Sequence, residues 1–485
     1  MNEYEPTIGI ECHVQLATAT KLFSGSDNDA RDAAPNTTVS PIDFGLPGVL
    51  PVLNGQAVQL AIRAGIALDA TVNRFSAFER KHYFYPDLPL GYQITQLESP
   101  IIGAGSVEVP MASGQPLTVR IHHAHLESDA GKLVHPTGAD YSLVDLNRAG
   151  TPLIEIVSEP DMHSSEEAKA YAQELYLRMV YAGVTHGDLF HGNMRFDVNI
   201  SIARKGSKEL GTRAEIKNLN SFRAVEKVVE YEFKRQVAVL EKGEAVVQET
   251  RGWDDAKQRT FTQRSKENAH DYRYFPDADL PPIRLEDTEI EAVRKEIVDT
   301  LPPTVRSRLQ ARSVPAKSTS ALFLYPLLLD RVLKVEASAG DAELKQIVDL
   351  LINVLPPELE KEAEAPTAAA PYLPKPEALI GLARLVSDSA INGSNAKELL
   401  RQTWKTLEDP KAEAERLGFL QDNDESAIAA LVDEVLADPI AEQSIADFKA
   451  GNQKAMGFFV GQIMKRSGGK ANPVVAQKLI RERLG

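Results

Sequence analysis

"MRFDVNISIAR", residues 194–204, decides how the first half of the chain is read. Met194, Phe196, Val198, Ile200 and Ile202 alternate with Arg195, Asp197, Asn199, Ser201 and Ala203. A period of two puts the apolar set on one face and the polar set on the other, which predicts a strand with one wet face. Such alternation favours antiparallel pairing over a parallel sheet covered on both sides. The same rhythm recurs in "IGIECHVQL" (8–16), where Ile10, Cys12, Val14 and Leu16 share a face opposite Glu11, His13 and Gln15. It recurs in "LIEIVSE" (153–159), with Glu155 between Ile154 and Ile156, and in "RAEIKNLNS" (213–221), with Glu215 and Lys217 opposite Ile216.

Helices interrupt these strands. Ser164 and Glu167 have capping-box spacing ahead of "EAKAYAQELYLRMVYAG", which stops at Gly183. A second helix is predicted over 221–243, with Val225, Val228, Val229, Phe233, Val237 and Leu240 near one face. "GAGS" (103–106) reads as a hairpin turn. Near Leu285 the pattern becomes helical throughout. Thr288 and Glu291 suggest a capping box before the stripe Ile290, Val293, Ile297, Val298. "EAEAPTAAAPYLPKPEA" (362–378) is a Pro/Ala-rich loop, Ile428, Leu431, Val432, Val435 and Leu436 mark a further helix, and Asn472-Pro473 starts the last one. The fold class is therefore α+β: a mainly antiparallel sheet domain over 1–286, an all-helical domain over 287–408 and a small helical tail domain over 409–485.

The bulk numbers are those of a soluble globular protein: 485 residues, 43% apolar, 25% charged. One cysteine excludes an intramolecular disulfide and a Cys-based zinc cluster. "MNEYEPTIGI" has no basic n-region, and "ALFLYPLLL" (321–329) is too short to span a bilayer, so a cytoplasmic protein without membrane contact is expected. The net charge of −15 argues against a general nucleic-acid binder. From Gly451 onward, however, seven basic residues stand against Glu482, a net +6 that leaves −21 for the rest. A basic end on an acidic body fits one local polyanion contact or a solvated helix face.

Cys12 keeps company with aliphatics, and adjacent strand residues point apart, so His13 cannot activate it; it reads as a small buried hydrophobe. Glu11 and His13, two apart, face together and can share a metal ion or simply line a wet surface. Asp197 with Asn199, Glu215 with Lys217, and Glu155 repeat the pattern. "HHAHLESDAGK" (122–132), if extended, aligns His123, His125, Glu127 and Asp129. Several strands each contributing an acid to one surface either spread the charge into water or gather a cation. In "ERKHYFYPDLPLGYQITQ" (79–96), Tyr83 and Tyr85 follow Arg80 and Lys81, and "DYRYFPDADLPP" (271–282) repeats the flavour with Arg273. Aromatics beside cations suit a nucleotide or tRNA-end pocket, or a loop pinned by its own rings. The chain has no P-loop, no complete dinucleotide fingerprint, no G-x-S-x-G elbow and no Gly/Ser-rich amidase signature. ATP chemistry here would rest on metal-held carboxylates with Arg or Lys.

Long motifs in order along nearly the whole chain carry a resemblance. "IGIECHVQL", "GLPGVLPVLN", "RKHYFYPDLPLGYQITQ", "YSLVDLNRAGTPLIEIVSEPDM", "MRFDVNIS", "RAEIKNLNSF", "QETRGWD", "RSKENAHDYRYFPDADLPP" and "KAMGFFVGQIMK" resemble the B subunit of the bacterial aspartyl/glutamyl-tRNA amidotransferase. The resemblance implies a cradle-like catalytic domain, a helical domain and a tail that contacts tRNA. It implies phosphorylation by ATP and Mg²⁺ of the side-chain carboxylate of misacylated Glu-tRNA(Gln) or Asp-tRNA(Asn), then displacement of the phosphate by ammonia. The ammonia comes through a channel from a partner amidase, the A subunit, and a small C subunit straps the two together. Glu11, His13, Glu127, Asp197 and Glu215 match the family's metal positions, and Lys81 matches a lysine at the channel mouth. Arg80, Arg148, Lys217 and Arg273 are added as phosphate or transition-state contacts, with Tyr83 and Tyr85 as nucleotide-binding candidates.

The sequence departs from the family twice. Many relatives bind zinc through four cysteines where this chain has Ser24, Ser26, Ser40 and Asp43, so no structural zinc is expected and the loop must hold itself by turns and packing. Where the family has a second Glu tied to the ammonia route, this chain has Ser128, which cannot pair with Lys81.

Overall fold

The structure, a computed structural model, describes residues 3–207, 209–265, 272–363, 373–421, 425–468 and 470–485. Positions 364–372 of the Pro/Ala-rich loop lie outside the described residues. The chain divides into two compact units, Met1–Val305 and Arg306–Gly485.

The strands of the first unit are β1 (Tyr4–Gln15), β2 (Phe75–Ser76), β3 (Glu79–His82), β4 (Tyr92–Thr95), β5 (Gly105–Val109), β6 (Leu117–Ser128), β7 (Lys132–Val134), β8 (Leu143–Asp145), β9 (Pro152–Ser158), β10 (Met194–Arg204), β11 (Ala214–Leu219), β12 (Glu249–Asp254), β13 (Arg259–Ser265), β14 (Phe275–Pro276) and β15 (Ile283–Arg284). Its helices are α1 (Gly55–Ala67), α2 (Ser165–Tyr181), α3 (Phe222–Glu241) and α4 (Asp287–Ile297). Eight strands form one sheet in the order β13-β12-β11-β10-β1-β9-β6-β5. Its neighbours pair antiparallel, as the alternation predicts, except β11 and β12, which run parallel because α3 carries the chain across between them.

Register turns the alternation into two faces. Cys12 lies opposite both Phe196 and Ile156, Val14 opposite both Met194 and Ile154, and Ile10 opposite Val198. This face is buried under α2 and α3, whose Tyr171, Leu175, Met179, Val225 and Val228 join the same core. Cys12 is wholly buried, and burial, then Asp197, pushes its thiol well above the usual range. Each helix starts where a side chain takes up an orphan amide: the Ser164 hydroxyl accepts from Glu167 N–H and the Ser221 hydroxyl from Ala224 N–H, each at 3.1 Å.

Two local expectations are corrected. "GAGS" is not a hairpin turn; Gly105 and Ser106 open β5, and the chain reverses between Val109 and Leu117. Gly105 is needed because a Cβ there would lie 2.4 Å from that of Ala70. Thr288 is not a cap either. α4 begins at Asp287, and the Glu286 N–H donates to the Glu289 carboxylate at 2.9 Å, so the acidic pair one turn apart sets the start.

The second unit is helical. Helices Glu425–Ala437, Glu442–Lys449, Ala455–Arg466 and Pro473–Leu484 enclose a core containing Ile428, Val432, Phe459, Ile463 and Ile480. Asn472 caps the last of them by accepting from Val474 N–H at 2.9 Å. Three of the seven basic residues are matched by acids: Arg466 with Glu434 and Asp438, Lys478 with Glu425, and Arg483 with Asp433. Among the described residues, no helix is long and apolar enough to cross a membrane.

Candidate active site

The polar face of the sheet carries acids on five adjacent strands. Glu11 lies opposite Asp197, Asn199 opposite Glu215, and Glu155 opposite both His13 and His125. The side chains gather into two trios, His13 with Glu127 and Glu155, and Glu11 with Asp197 and Glu215. Within each, one donor atom per residue lies within 4.8 Å of the others. All five predicted metal positions are therefore brought to one face, but in two groups rather than one hollow. Glu155, legible as an acid between isoleucines but left out of the predicted ligand set, completes the first group.

In the first trio imidazoles and carboxylates alternate. His13 Nε2 lies 3.6 Å from Glu127 Oε1 and 3.5 Å from Glu155 Oε2, and His125 Nε2 lies 3.7 and 3.6 Å from the same two carboxylates. Burial alone would lower the His13 imidazolium; Glu155 and Glu127 outweigh it and hold its pKa at about 9. The same contact, acting against burial, keeps the Glu155 carboxyl well below its usual range. The Thr95 hydroxyl donates to Glu127 at 3.4 Å.

In the second trio the counter-charge is an ammonium. Lys217 Nζ lies 3.1 Å from Asp197 Oδ2 and 3.2 Å from Glu215 Oε1. Burial opposes that charge, but Asp197, Glu215 and Glu11 raise its pKa. A bulge in the β10–β11 ladder between Phe196 and Val198 aims Asp197 here, where it also accepts the Asn218 N–H at 2.8 Å. Asn199 Nδ2 donates to Glu11 at 3.0 Å and the Thr250 hydroxyl to Glu215 at 3.0 Å. Burial first, then Glu155, pushes the Glu11 carboxyl up. The Asn199 amide oxygen is buried without a partner. The three carboxylates form an all-oxygen donor set of the kind that a hard divalent cation takes.

Lys81 reaches the first trio from β3. Its ammonium lies 4.9 Å from the centre of the Tyr272 ring, and although burial would lower its pKa, Glu127 and Tyr274 hold it above the ordinary value. Tyr83 packs edge-on against Tyr85 and Tyr272, at 6.1 and 6.2 Å between centroids, so these rings form a rim around Lys81.

The other candidates are held elsewhere. Arg80 points to the opposite side of β3, where Asp277 and Asp279 each bond it at 2.7 Å. Arg148 pairs with Asp129 at 3.3 Å and donates to the Ala130 and Gly131 carbonyls, on the wall of a cavity of about 320 Å³ with Arg31, His186 and His191. Arg273 is exposed with a left-handed backbone (φ 47°). The Ser128 hydroxyl, on the far side of β6 from Glu127, lies 3.5 Å from the Ile94 carbonyl oxygen.

Ser24, Ser40 and Asp43, three of the four residues at the positions that the resemblance links to zinc, meet around an ion pair. Asp43 accepts from the Ser24 hydroxyl at 3.1 Å and the Ser40 N–H at 2.8 Å, and the fully buried Lys21 ammonium lies 3.4 Å away. Burial lowers the Lys21 pKa and Asp43 partly restores it. A buried charge pair thus adds to the turns of this loop, where the Phe44 N–H donates to the Ser40 carbonyl at 3.1 Å.

A family model described as the GatB/GatE catalytic domain matches residues 6–291, and one described as the GatB domain matches 334–484. The B subunit of aspartyl/glutamyl-tRNA(Asn/Gln) amidotransferase from Persephonella marina is 43% identical over 484 residues, covering 99% of this chain and 100% of that protein. The proteins of the same name from Thioalkalivibrio sulfidiphilus and Alcanivorax borkumensis are 42% identical over 486 residues and 44% over 491, each covering 99% of this chain and 100% and 99% of their own lengths.

Proposed function

The chain belongs to the family of B subunits of aspartyl/glutamyl-tRNA(Asn/Gln) amidotransferase, and on that premise we propose how its sheet face performs the family's reaction. The protein activates, with ATP, the side-chain carboxylate of misacylated Glu-tRNA(Gln) or Asp-tRNA(Asn) and amidates it with ammonia from a partner amidase. The observation that carries the site assignment is the pair of trios on one wet sheet face, with Lys81 and its tyrosine rim at one end.

A carboxylate resists attack because its charge repels a nucleophile. ATP supplies a phosphoryl group that removes this charge; ammonia then adds to the acyl carbon and phosphate leaves. Mg²⁺ is the ion that the second trio's hard oxygens fit, with Glu11, Asp197 and Glu215 holding it; bound there it would offset phosphate charge. Glu155 and Glu127 hold His13 and His125 in position in the first trio. Lys217 is placed for phosphate oxygens, and Lys81, Tyr83 and Tyr85 line the mouth through which ammonia arrives shielded from water. In this reading an amidase A subunit and a small C subunit complete a heterotrimer, residues 1–286 form the cradle, 287–408 the helical domain, and the 409–485 tail contacts tRNA through its basic residues left unmatched. The complex works in the cytoplasm.

The test is reconstitution with amidase partners, ATP, Mg²⁺ and glutamine on each misacylated tRNA, followed by identification of the aminoacyl product. Glu11→Ala and His13→Ala should abolish acyl-phosphate formation while tRNA affinity stays nearly intact. Unchanged ATP turnover in both variants would remove these residues from the site. A protein that binds tRNA but never consumes ATP would be a scaffold instead.

A further inference from the structure

We propose that the buried ion network around Arg251 and Glu232 is a positioning device, which fixes the register of β12 so that the Thr250 hydroxyl meets Glu215 of the second trio. In its bearing on catalysis this rests on the kinase reading of that trio above. β11 and β12 run parallel and pair at only two positions, Glu215 opposite Thr250 and Ile216 opposite Arg251. So short a ladder holds its own register weakly, and because side chains alternate, a slip of one residue exchanges the two faces. Thr250 would then turn into the core, and Arg251 or Glu249 would stand against Glu215. In the register observed, the Thr250 hydroxyl donates to Glu215 at 3.0 Å.

The network lies on the opposite face of β12. Glu232 of α3 is fully buried, and Arg251 and Thr260 are nearly so. Arg251 Nε lies 3.2 Å from Glu232 Oε1 and donates to the Thr260 hydroxyl at 2.9 Å; that hydroxyl donates in turn to Glu232 at 2.5 Å. The rest of the guanidinium bonds the Glu249 carboxylate, the Thr262 hydroxyl at 3.1 Å and the Thr260 carbonyl at 3.3 Å. Arg235 donates to Glu232 at 2.7 Å from the next turn of α3. Burial opposes the Glu232 charge, but Arg235, Thr260 and Gln236 hold its carboxyl below the usual range. Arg235 and Arg251 against Glu232 and Glu249 leave the cluster neutral. A buried ion network often adds no stability over an apolar filling of the same shape, and its best-attested use is to fix register. Here one planar fork reaches α3, β13 and its own strand together, so β12 cannot shift along either neighbour without stripping a buried charge. A bulge in the β12–β13 ladder falls between Thr250 and Arg251. The backbone ladder thus breaks beside the residue whose hydroxyl has to be placed, and the side chains of the network carry the alignment across the break.

The experiment is a double-variant cycle on the full chain. Thr250→Val and Arg251→Lys, singly and together, are unfolded in urea without divalent ions, with Thr95→Val on β4 as the control. Lysine keeps the charge but cannot bond α3, β13 and Glu249 at once. The midpoint drop that Thr250→Val causes in the parent chain should disappear in the Arg251→Lys background, whereas the Thr95→Val drop should persist. Thr260→Val removes only the hydroxyl between Arg251 and Glu232; it should act in the same way, more mildly, and serves where the lysine variant does not fold. In the reconstituted complex, Arg251→Lys and Thr250→Val should each lower kcat for acyl-phosphate formation about tenfold at unchanged KM for ATP, and the double variant no further. Equal Thr250→Val drops in both backgrounds, or loss of the Thr95→Val drop as well, overturn the proposal and leave the kinase reading standing. A non-additive urea cycle with kcat unmoved upholds the register and overturns the second trio as part of the kinase site.

Discussion

The two trios lie on neighbouring strands of one sheet face, yet they balance charge in opposite ways. Around Glu127 and Glu155 stand His13, His125 and Lys81, cations enough to neutralise two carboxylates without any added ion. Among the described residues, Lys217 alone pairs with the Glu11, Asp197 and Glu215 group, which leaves two negative charges unmatched there, the charge of one divalent cation. The lesson is that similar acidic groups need not be equivalent sites. On the proposed reading the second holds the metal, whereas the first must give up a proton from His13 before the imidazole can ligate.

The largest effect that could break this comparison comes from removing one carboxylate of each trio. Glu155→Gln and Glu215→Gln should each lower acyl-phosphate formation by on the order of 10³-fold, several kcal/mol of transition-state stabilisation. Counting bound Mn²⁺ by paramagnetic resonance should show Glu215→Gln losing the ion and Glu155→Gln keeping it. Loss of the ion from both variants would mean that the two trios act as one site.

The next effect separates the trios by pH in protein stripped of divalent ions. His13 holds its proton up to about pH 9 in the fold against about 6.5 unfolded, so the folded state binds the extra proton. The stabilisation is complete below about pH 6.5 and is lost as pH rises through 9. Urea midpoints should fall over that window by the equivalent of about 1–3 kcal/mol. In His13→Asn the fall should flatten. A midpoint indifferent to pH in the parent chain would show that the imidazole is neutral and the first trio already fit for a metal.

Much of this contrast was legible beforehand, because strand periodicity is local. Alternation alone put Glu11, His13, Asp197, Asn199, Glu215 and Lys217 on the wet face and Cys12 in the core. Which strands are neighbours is not local, so the grouping of Glu155 with His13 and Glu127 needed the β1–β9–β6 order. The division into two groups also follows the strand order, one drawing on β1, β10 and β11 and the other on β1, β9 and β6. Arg80 looked free because its partners Asp277 and Asp279 lie nearly two hundred residues on. The parallel β11–β12 pair was hidden for a related reason: alternation favours antiparallel pairing in general and does not mark the one neighbour that the α3 crossover sets parallel.

A smaller effect sharpens the second trio. Lys217 occupies the space a cation would take, so Lys217→Met should tighten Mn²⁺ binding there by about tenfold while slowing phosphoryl transfer. The same resonance titration reads the change. If binding at the second trio weakens instead, the ammonium assists the metal and does not compete with it.

The smallest effect compares the hydroxyls that steady the two groups. Thr250 donates to Glu215 at 3.0 Å, whereas Thr95 donates to Glu127 at 3.4 Å. Both threonines are buried, so valine keeps the shape and removes only the donor. A hydrogen bond to a charged acceptor contributes about 1.5–3 kcal/mol when well formed and falls away as it lengthens. Thr250→Val should therefore cost about 1–2 kcal/mol in metal-free protein, and Thr95→Val less. Saturating Mg²⁺ should shrink the Thr250 penalty, because the ion takes over the charge that the hydroxyl was holding, and should leave the Thr95 penalty nearly unchanged. Denaturation curves of the two variants with and without Mg²⁺ read all four values. The reverse ranking, or a Mg²⁺ effect confined to Thr95, would exchange the roles of the two trios.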